Sequence, residues 1–90
     1  MIDLEELSQL TMFAREGTLS KAAEKLHISQ PTLSRTMQNL EEVFGVPLFA
    51  RGKNRIELNE TGWKAAERAE HLLAEAEDVL RQVREFDKRL

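Results

Sequence analysis

From Trp63 to Leu90 the chain contains no glycine and no proline. These are the two residues that break helices most strongly, costing about 1 and about 3 kcal/mol relative to alanine. The apolar residues in the stretch are spaced for a helix. Ala65, Ala69, Leu72, Ala76, Val79, Val83, Phe86 and Leu90 step by four and three without a miss. This is the heptad seam of a helix that meets another helix. Leu73 and Leu80 widen it. Asn59 can cap its start, so the pattern predicts a helix from about Glu60 almost to Leu90. At 1.5 Å per residue it is about 45 Å long. A body made of residues 1–59 is too small to cover that length, and the far half of the seam needs a partner.

The residues before it read as a small head. Leu4, Leu7, Leu10 or Thr11, and Ala14 recur at helical spacing over 3–16, with Phe13 beside them and Gly17 as a stop. Thr18 and Ser20 are both possible caps for a short second helix, roughly 19–26. Its inner face is Leu19, Ala22, Ala23 and Leu26. His27, Ile28 and Ser29 leave room only for a tight turn. Ser29 caps a third helix with Pro31 in its first turn, where a missing N–H costs nothing. Leu33, Met37, Leu40, Val43 and Phe44 form its apolar stripe, and it ends at Gly45. Leu48-Phe49 and Ile56-Glu57-Leu58 read as two short strands around a polar tip, Arg51-Gly52-Lys53-Asn54, with Gly and Asn for positive φ. The predicted architecture is mainly α: three compact helices, a two-stranded hairpin and a long protruding helix.

Charge narrows the function. The 90 residues carry a net charge of -3, unlike a uniformly basic nucleic-acid binder. The average hides three blocks. Residues 1–14 hold three acids and no base, and residues 56–90 hold nine acids against six bases. The middle block, 15–55, holds seven bases against four acids, and neither 25–40 nor 43–56 contains any acid. A phosphate-facing surface requires such local clearing of negative charge. There is no cysteine, which excludes disulfides, a thiolate nucleophile and a cysteine zinc site. No apolar run approaches the roughly 18 residues of a membrane span, and the N-terminus lacks a signal-peptide pattern. A cytoplasmic protein with no membrane partner is the expectation.

Catalysis has little support. His71 has Glu67 and Glu75 at four-residue spacing, which would suit a metal, but it stands in a run of charges typical of a solvated helix face. His27 is a turn residue or a phosphate neighbour. No phosphate loop or nucleophile elbow occurs, and the chain is read as a non-enzyme without a cofactor. Trp63 is expected in the core, sealing the long helix onto the hairpin.

The third helix is the informative element. With its apolar stripe turned inward, Gln30, Ser34 and Gln38 form one outer row, and Pro31, Arg35 and Asn39 the next. Gln suits adenine, Arg suits guanine, and Ser either base edges or phosphate. Pro31 offers a surface for a thymine methyl, and the helix N-terminus offers N–H groups to a phosphate. Helix, three-residue turn, helix is a helix-turn-helix, whose second helix enters the major groove of DNA. The tip adds Arg51, Lys53, Asn54 and Arg55, suited to a backbone or minor groove. A rival reading is a helical protein-interaction module that pairs through residues 65–90 and never touches DNA.

The run Gly17-Thr18-Leu19-Ser20-Lys21-Ala22-Ala23-Glu24-Lys25-Leu26-His27-Ile28-Ser29-Gln30-Pro31-Thr32-Leu33-Ser34-Arg35 resembles the signature of LysR-type transcriptional regulators. So do Leu40-Glu41-Glu42-Val43-Phe44-Gly45-Val46-Pro47-Leu48-Phe49-Ala50-Arg51 and Leu58-Asn59-Glu60-Thr61-Gly62. The resemblance covers nearly the whole chain. It implies a winged helix-turn-helix DNA-binding domain over 1–59 and a linker helix over 60–90. It also implies a homodimer through antiparallel linker helices, bound to an inverted repeat in double-stranded DNA with helix 30–44 in the major groove. The implied DNA-binding residues are Ser29, Gln30, Pro31, Thr32, Ser34, Arg35 and Gln38, with Arg51, Lys53, Asn54 and Arg55 on the wing. The seam residues, with Leu73 and Leu80, are the implied dimer interface. Three positions depart from the family pattern: Asn54 and Glu57 stand where basic residues are common, and Asn59 replaces the usual capping Thr. A weaker wing is therefore expected, with the cap preserved. Family members continue into a two-lobed effector-binding domain that this sequence lacks. The expectation is a DNA-binding fragment, the alternative being a naturally short protein, with any small-molecule effector bound by that further domain.

Overall fold

The computed structural model describes all 90 residues. Asp3 begins the first helix, its Oδ1 accepting from the N–H groups of Glu5 at 2.8 Å and Glu6 at 3.2 Å. Helix α1 spans Leu4–Glu16, α2 Leu19–Leu26 and α3 Gln30–Phe44. Strands β1 (Phe49–Gly52) and β2 (Arg55–Leu58) follow, then α4, Glu60–Lys88. Each remaining helix also starts on a side-chain cap: Thr18 accepts from Lys21, Ser29 from Thr32, and Asn59 from Gly62. Of the two possible caps for α2, Thr18 is the one used. Between α2 and α3, His27 takes a left-handed conformation at φ 58°, which lets the chain reverse within three residues.

The core lies where α1, α2, α3 and the start of α4 meet. Leu7, Leu10 and Phe13 of α1 pack with Ala22 and Ala23 of α2. Leu33, Met37 and Leu40 of α3, then Leu48, Ala66 and Ala69, complete it. The two alanines of α2 allow close helix approach. Val43 departs from the expected stripe and is exposed. The stripe passes from Leu40 to Phe44 at four-residue spacing, which turns Val43 to the flank, and Thr36 is buried instead with its hydroxyl on the Thr32 carbonyl. Leu4 is exposed as well.

The hairpin is tighter than expected. Its strands pair antiparallel from Phe49↔Leu58 to Gly52↔Arg55, so only Lys53 and Asn54 form the turn. Asn54, not Gly52, takes the positive φ, at 60°. Arg51 and Arg55 are strand residues, since nothing in a solvent-facing ladder excludes them. Leu48 precedes β1 and is fully buried. Its N–H donates to Glu41 Oε2 at 2.8 Å, and the Phe49 N–H donates to the same oxygen at 3.3 Å. One carboxylate thus clasps the hairpin to α3.

Trp63 is 55% exposed, against the expectation of a core residue. Gly62 takes the face turned to the hairpin. A Cβ there would collide with the Leu48 carbonyl and press on the Leu58 side chain, so the backbones meet too closely for any side chain. Trp63, one residue on, is rotated out over Phe13, Ala14 and Leu58.

Beyond its first turns α4 leaves the head. The molecule is 58 Å long and 27 Å across. Exposed ion pairs decorate the helix. Lys64 donates to Glu67 at 3.1 Å, which holds the Glu67 carboxyl below the ordinary carboxylate range. Arg81 bridges Asp78 at 2.9 Å and Glu85 at 3.4 Å. Pairs this exposed contribute little to stability. No helix is long and apolar enough to cross a membrane.

Candidate nucleic-acid interface

The first two turns of α3 form the outer face of the head. Gln30, Pro31, Thr32 and Arg35 are exposed, and Ser34 is half-buried between them and the core. This face contains no acid. Ser29 and Thr32 lock its start: the Ser29 hydroxyl donates to Thr32 Oγ1 at 2.8 Å and accepts the Thr32 N–H at 3.2 Å. Both hydroxyls are partly engaged in holding the helix terminus, which orients its remaining N–H groups outward.

A cleft runs from this helix start to the wing. Gln30 shares it with Arg51, Asn54 and Arg55, and with Thr18 and Ser20 from the start of α2. Chain reversal at His27 brings the beginnings of α2 and α3 to the same side, and the β1–β2 pairing extends the basic strand residues beside them. Thr18 and Ser20 were read from sequence only as caps. The capping signal marks them as the start of a helix, and only the fold brings that start beside the wing cations, where its N–H groups would favour an anion.

Charge on the wing is divided. Arg55 Nε lies 3.1 Å from Glu57 Oε1, because residues two apart on a strand share a face. Arg51, Lys53 and Arg35 enter no ion pair. The free cations of the face are therefore one on α3 and two on the wing. Gln38 lies apart from this group. It borders a shallow depression with Glu41, Glu42 and Pro47, so the acid-free surface ends one turn after Arg35.

The sequence profile of bacterial regulatory helix-turn-helix proteins of the lysR family matches residues 4–63. The chain belongs to this family. A "Probable RuBisCO transcriptional regulator" of Emiliania huxleyi is 39% identical over 83 residues, 92% of this chain and 26% of that protein. The HTH-type transcriptional regulator BsdA of Bacillus subtilis is 36% identical over 86 residues, 94% of this chain and 30% of its own length. This chain thus spans between a quarter and a third of these two relatives. The crystal structure of the BenM_DBD/catB site 1 DNA complex matches with a TM-score of 0.87 and 31% identity, over 97% of this chain and 94% of that one. Full-length CbnR complexed with its target DNA matches with a TM-score of 0.85 and 34% identity, over 92% of this chain and 29% of that one.

In this LysR-family chain the fold is a winged helix-turn-helix with a long C-terminal helix. His27 closes the turn, and His71 Nδ1 lies 3.1 Å from an Arg68 nitrogen on the exposed side of α4. No three His, Asp or Glu side chains converge on one point. The seam divides into two parts. Ala69 is 3% exposed and Ala65 is half-buried against the head. Leu72, Val79, Leu80, Val83, Phe86 and Leu90 are exposed, and Leu73 and Ala76 lie between these extremes.

Proposed function

We propose that this chain is the sequence-specific DNA-binding and dimerising module of a transcription regulator. Two copies pair through antiparallel α4 helices and bind an inverted repeat. Each lays the start of α3 in a major groove, with Gln30, Ser34 and Arg35 toward base edges or neighbouring phosphates and Pro31 against a base. Ser29 and Thr32 hold the helix terminus toward a phosphate. Arg51, Lys53 and Asn54 follow the backbone from the wing, while Arg55 reaches it only by giving up Glu57. Gln38 lies at the edge of the contact. The carrying observation is an exposed, acid-free helix face beside unpaired wing cations, in a chain whose net charge is -3. Family membership and likeness to structures solved with DNA support the same reading.

Selection of bound sequences from a random duplex pool tests it. The expected product is an inverted repeat, bound with strong salt dependence. The Val79→Asp, Val83→Asp double variant should keep the head folded and lose the preference for paired half-sites. A folded dimer that fails to bind any duplex at low salt would overturn DNA binding in favour of the protein-interaction module.

A further inference from the structure

Hydrogen bonding ties the wing to the reading helix through one side chain. Glu41 stands in the last turn of α3. Its Oε2 accepts the N–H of Leu48 at 2.8 Å and that of Phe49 at 3.3 Å. No other hydrogen bond joins α3 to residues 46–58, and Glu41 enters no ion pair. On the opposite side the same stretch is held by the start of α4. The Leu48 carbonyl accepts the Asn59 N–H at 3.0 Å, and the Pro47 carbonyl accepts from the Asn59 side chain at 3.2 Å.

These bonds set a direction. Leu48 is fully buried and the Phe49 ring packs on Phe13, but apolar contact is non-directional, whereas a hydrogen bond weakens steeply off its axis. The path on which β1 leaves Leu48 is therefore fixed by two clamps, Glu41 from α3 and Asn59 from α4. Without the first, the hairpin follows α4 alone. The wing is also a lever. Lys53 stands at its turn, roughly 13 Å along the strand from Phe49. A change of about 10° at the root moves it by about 2 Å, more than a hydrogen bond to a phosphate tolerates.

We propose that Glu41 is a positioning residue for DNA binding. Its carboxylate sets the wing against the reading helix, so that Arg51 and Lys53 meet the backbone while α3 lies in its groove. The proposal rests on the DNA-binding reading above. Its sign separates it from electrostatics. An acid on the reading helix repels phosphate, and removing it should by charge alone tighten binding. Loss of the wing's position acts in the opposite direction.

A double-mutant cycle on the 90-residue chain tests this, with a duplex carrying one half-site recovered by selection and a random duplex. Glu41→Ala removes the acceptor. It is expected to weaken binding to both duplexes about tenfold, a coupling of ordinary size for residues that act together. The slope of log affinity against log salt should become shallower by about two, one for each displaced cation. Glu41→Gln keeps an acceptor oxygen at the same reach and should bind at least as tightly as the unsubstituted chain. The wing variant combines Arg51→Ala and Lys53→Ala. It should weaken the unsubstituted chain and change Glu41→Ala by less than about twofold, because its contacts are already lost there. Additive losses, the behaviour of independent sites, would overturn the proposal. So would a folded Glu41→Ala chain that binds as tightly as the unsubstituted one. Glu41→Asp, equal in charge and one methylene shorter, takes the place of Glu41→Ala in the cycle if circular dichroism shows the latter unfolded. An unsubstituted chain that binds neither duplex would overturn the DNA reading and the proposal together, whereas additive losses strike the proposal alone.

Discussion

Arg35 projects from α3 without an ion-pair partner, whereas Arg55 is held by Glu57 at 3.1 Å. The two cations should behave differently on DNA. Arg35→Ala is expected to cost about 1–3 kcal/mol on the preferred site and to relax specificity at one base position per half-site. Competition titrations against random duplex check this, and equal losses on both duplexes would contradict base reading by Arg35. Glu57→Gln should act in the opposite direction. It removes a negative charge from the wing and releases Arg55, so every duplex should bind more tightly. The slope of log affinity against log salt should steepen by about one. The charge pattern along the sequence gathered Arg51, Lys53 and Arg55 on the hairpin but could not show this pairing, which depends on Arg55 and Glu57 falling in the same strand. Gly62 is a packing counterpart. A Cβ added there would meet the Leu48 carbonyl, and backbone cannot rotate aside as a side chain does. Gly62→Ala is expected to destabilise the fold by about 1–3 kcal/mol, read as a lower urea midpoint at unchanged slope.

Among the elements, the helices were the most legible in the sequence and the wing the least. Caps at Thr18, Ser29 and Asn59 mark helix starts through the N–H groups they satisfy, and the structure uses all three. The hairpin offers only short edge strands. Its bounds depend on pairing between residues whose side chains stay in solvent, so no apolar pattern marked Arg51 or Arg55 as strand. Trp63 was misplaced for a related reason: size alone suggests burial, whereas the helix turns its smallest residue to the hairpin. The face of α3 was readable because its stripe of Leu33, Met37 and Leu40 fixes what must point outward. The cleft linking α3 to the wing was not, since it is assembled from three elements that are distant in sequence. Its position depends on contacts such as the Glu41 carboxylate on the Leu48 N–H, for which no local pattern exists.

At the scale of the whole molecule, the proposed antiparallel dimer would make α4 a ruler. A head alone holds one reading helix, and its affinity is limited to one half-site. Coupling two heads makes the second contact intramolecular, a gain of about a hundredfold to ten-thousandfold when the geometry allows both. That geometry depends on helix length. Duplicating residues 76–82 adds one heptad, which preserves the seam and adds packing layers, so dimerisation should be retained. The heads would move about 10 Å further apart at 1.5 Å per residue. Major grooves return to the same face only every helical turn, about 34–36 Å, so a shift of roughly a third of a turn carries the second head off its groove. The variant is expected to bind an isolated half-site as the unsubstituted chain does. Its affinity for the paired site should fall toward that single-site value. Titration of duplexes carrying one or two half-sites measures both quantities. If the longer dimer held the original paired site with undiminished affinity, the arm would not be what sets the distance between the heads, and a flexible joint at Asn59–Gly62 would have to absorb the difference. The close packing of Gly62 on the Leu48 carbonyl argues against such a joint. The Asn59 side chain, which donates to the Pro47 carbonyl at 3.2 Å while accepting the Gly62 N–H at 2.8 Å, holds the helix start to the head from the other side.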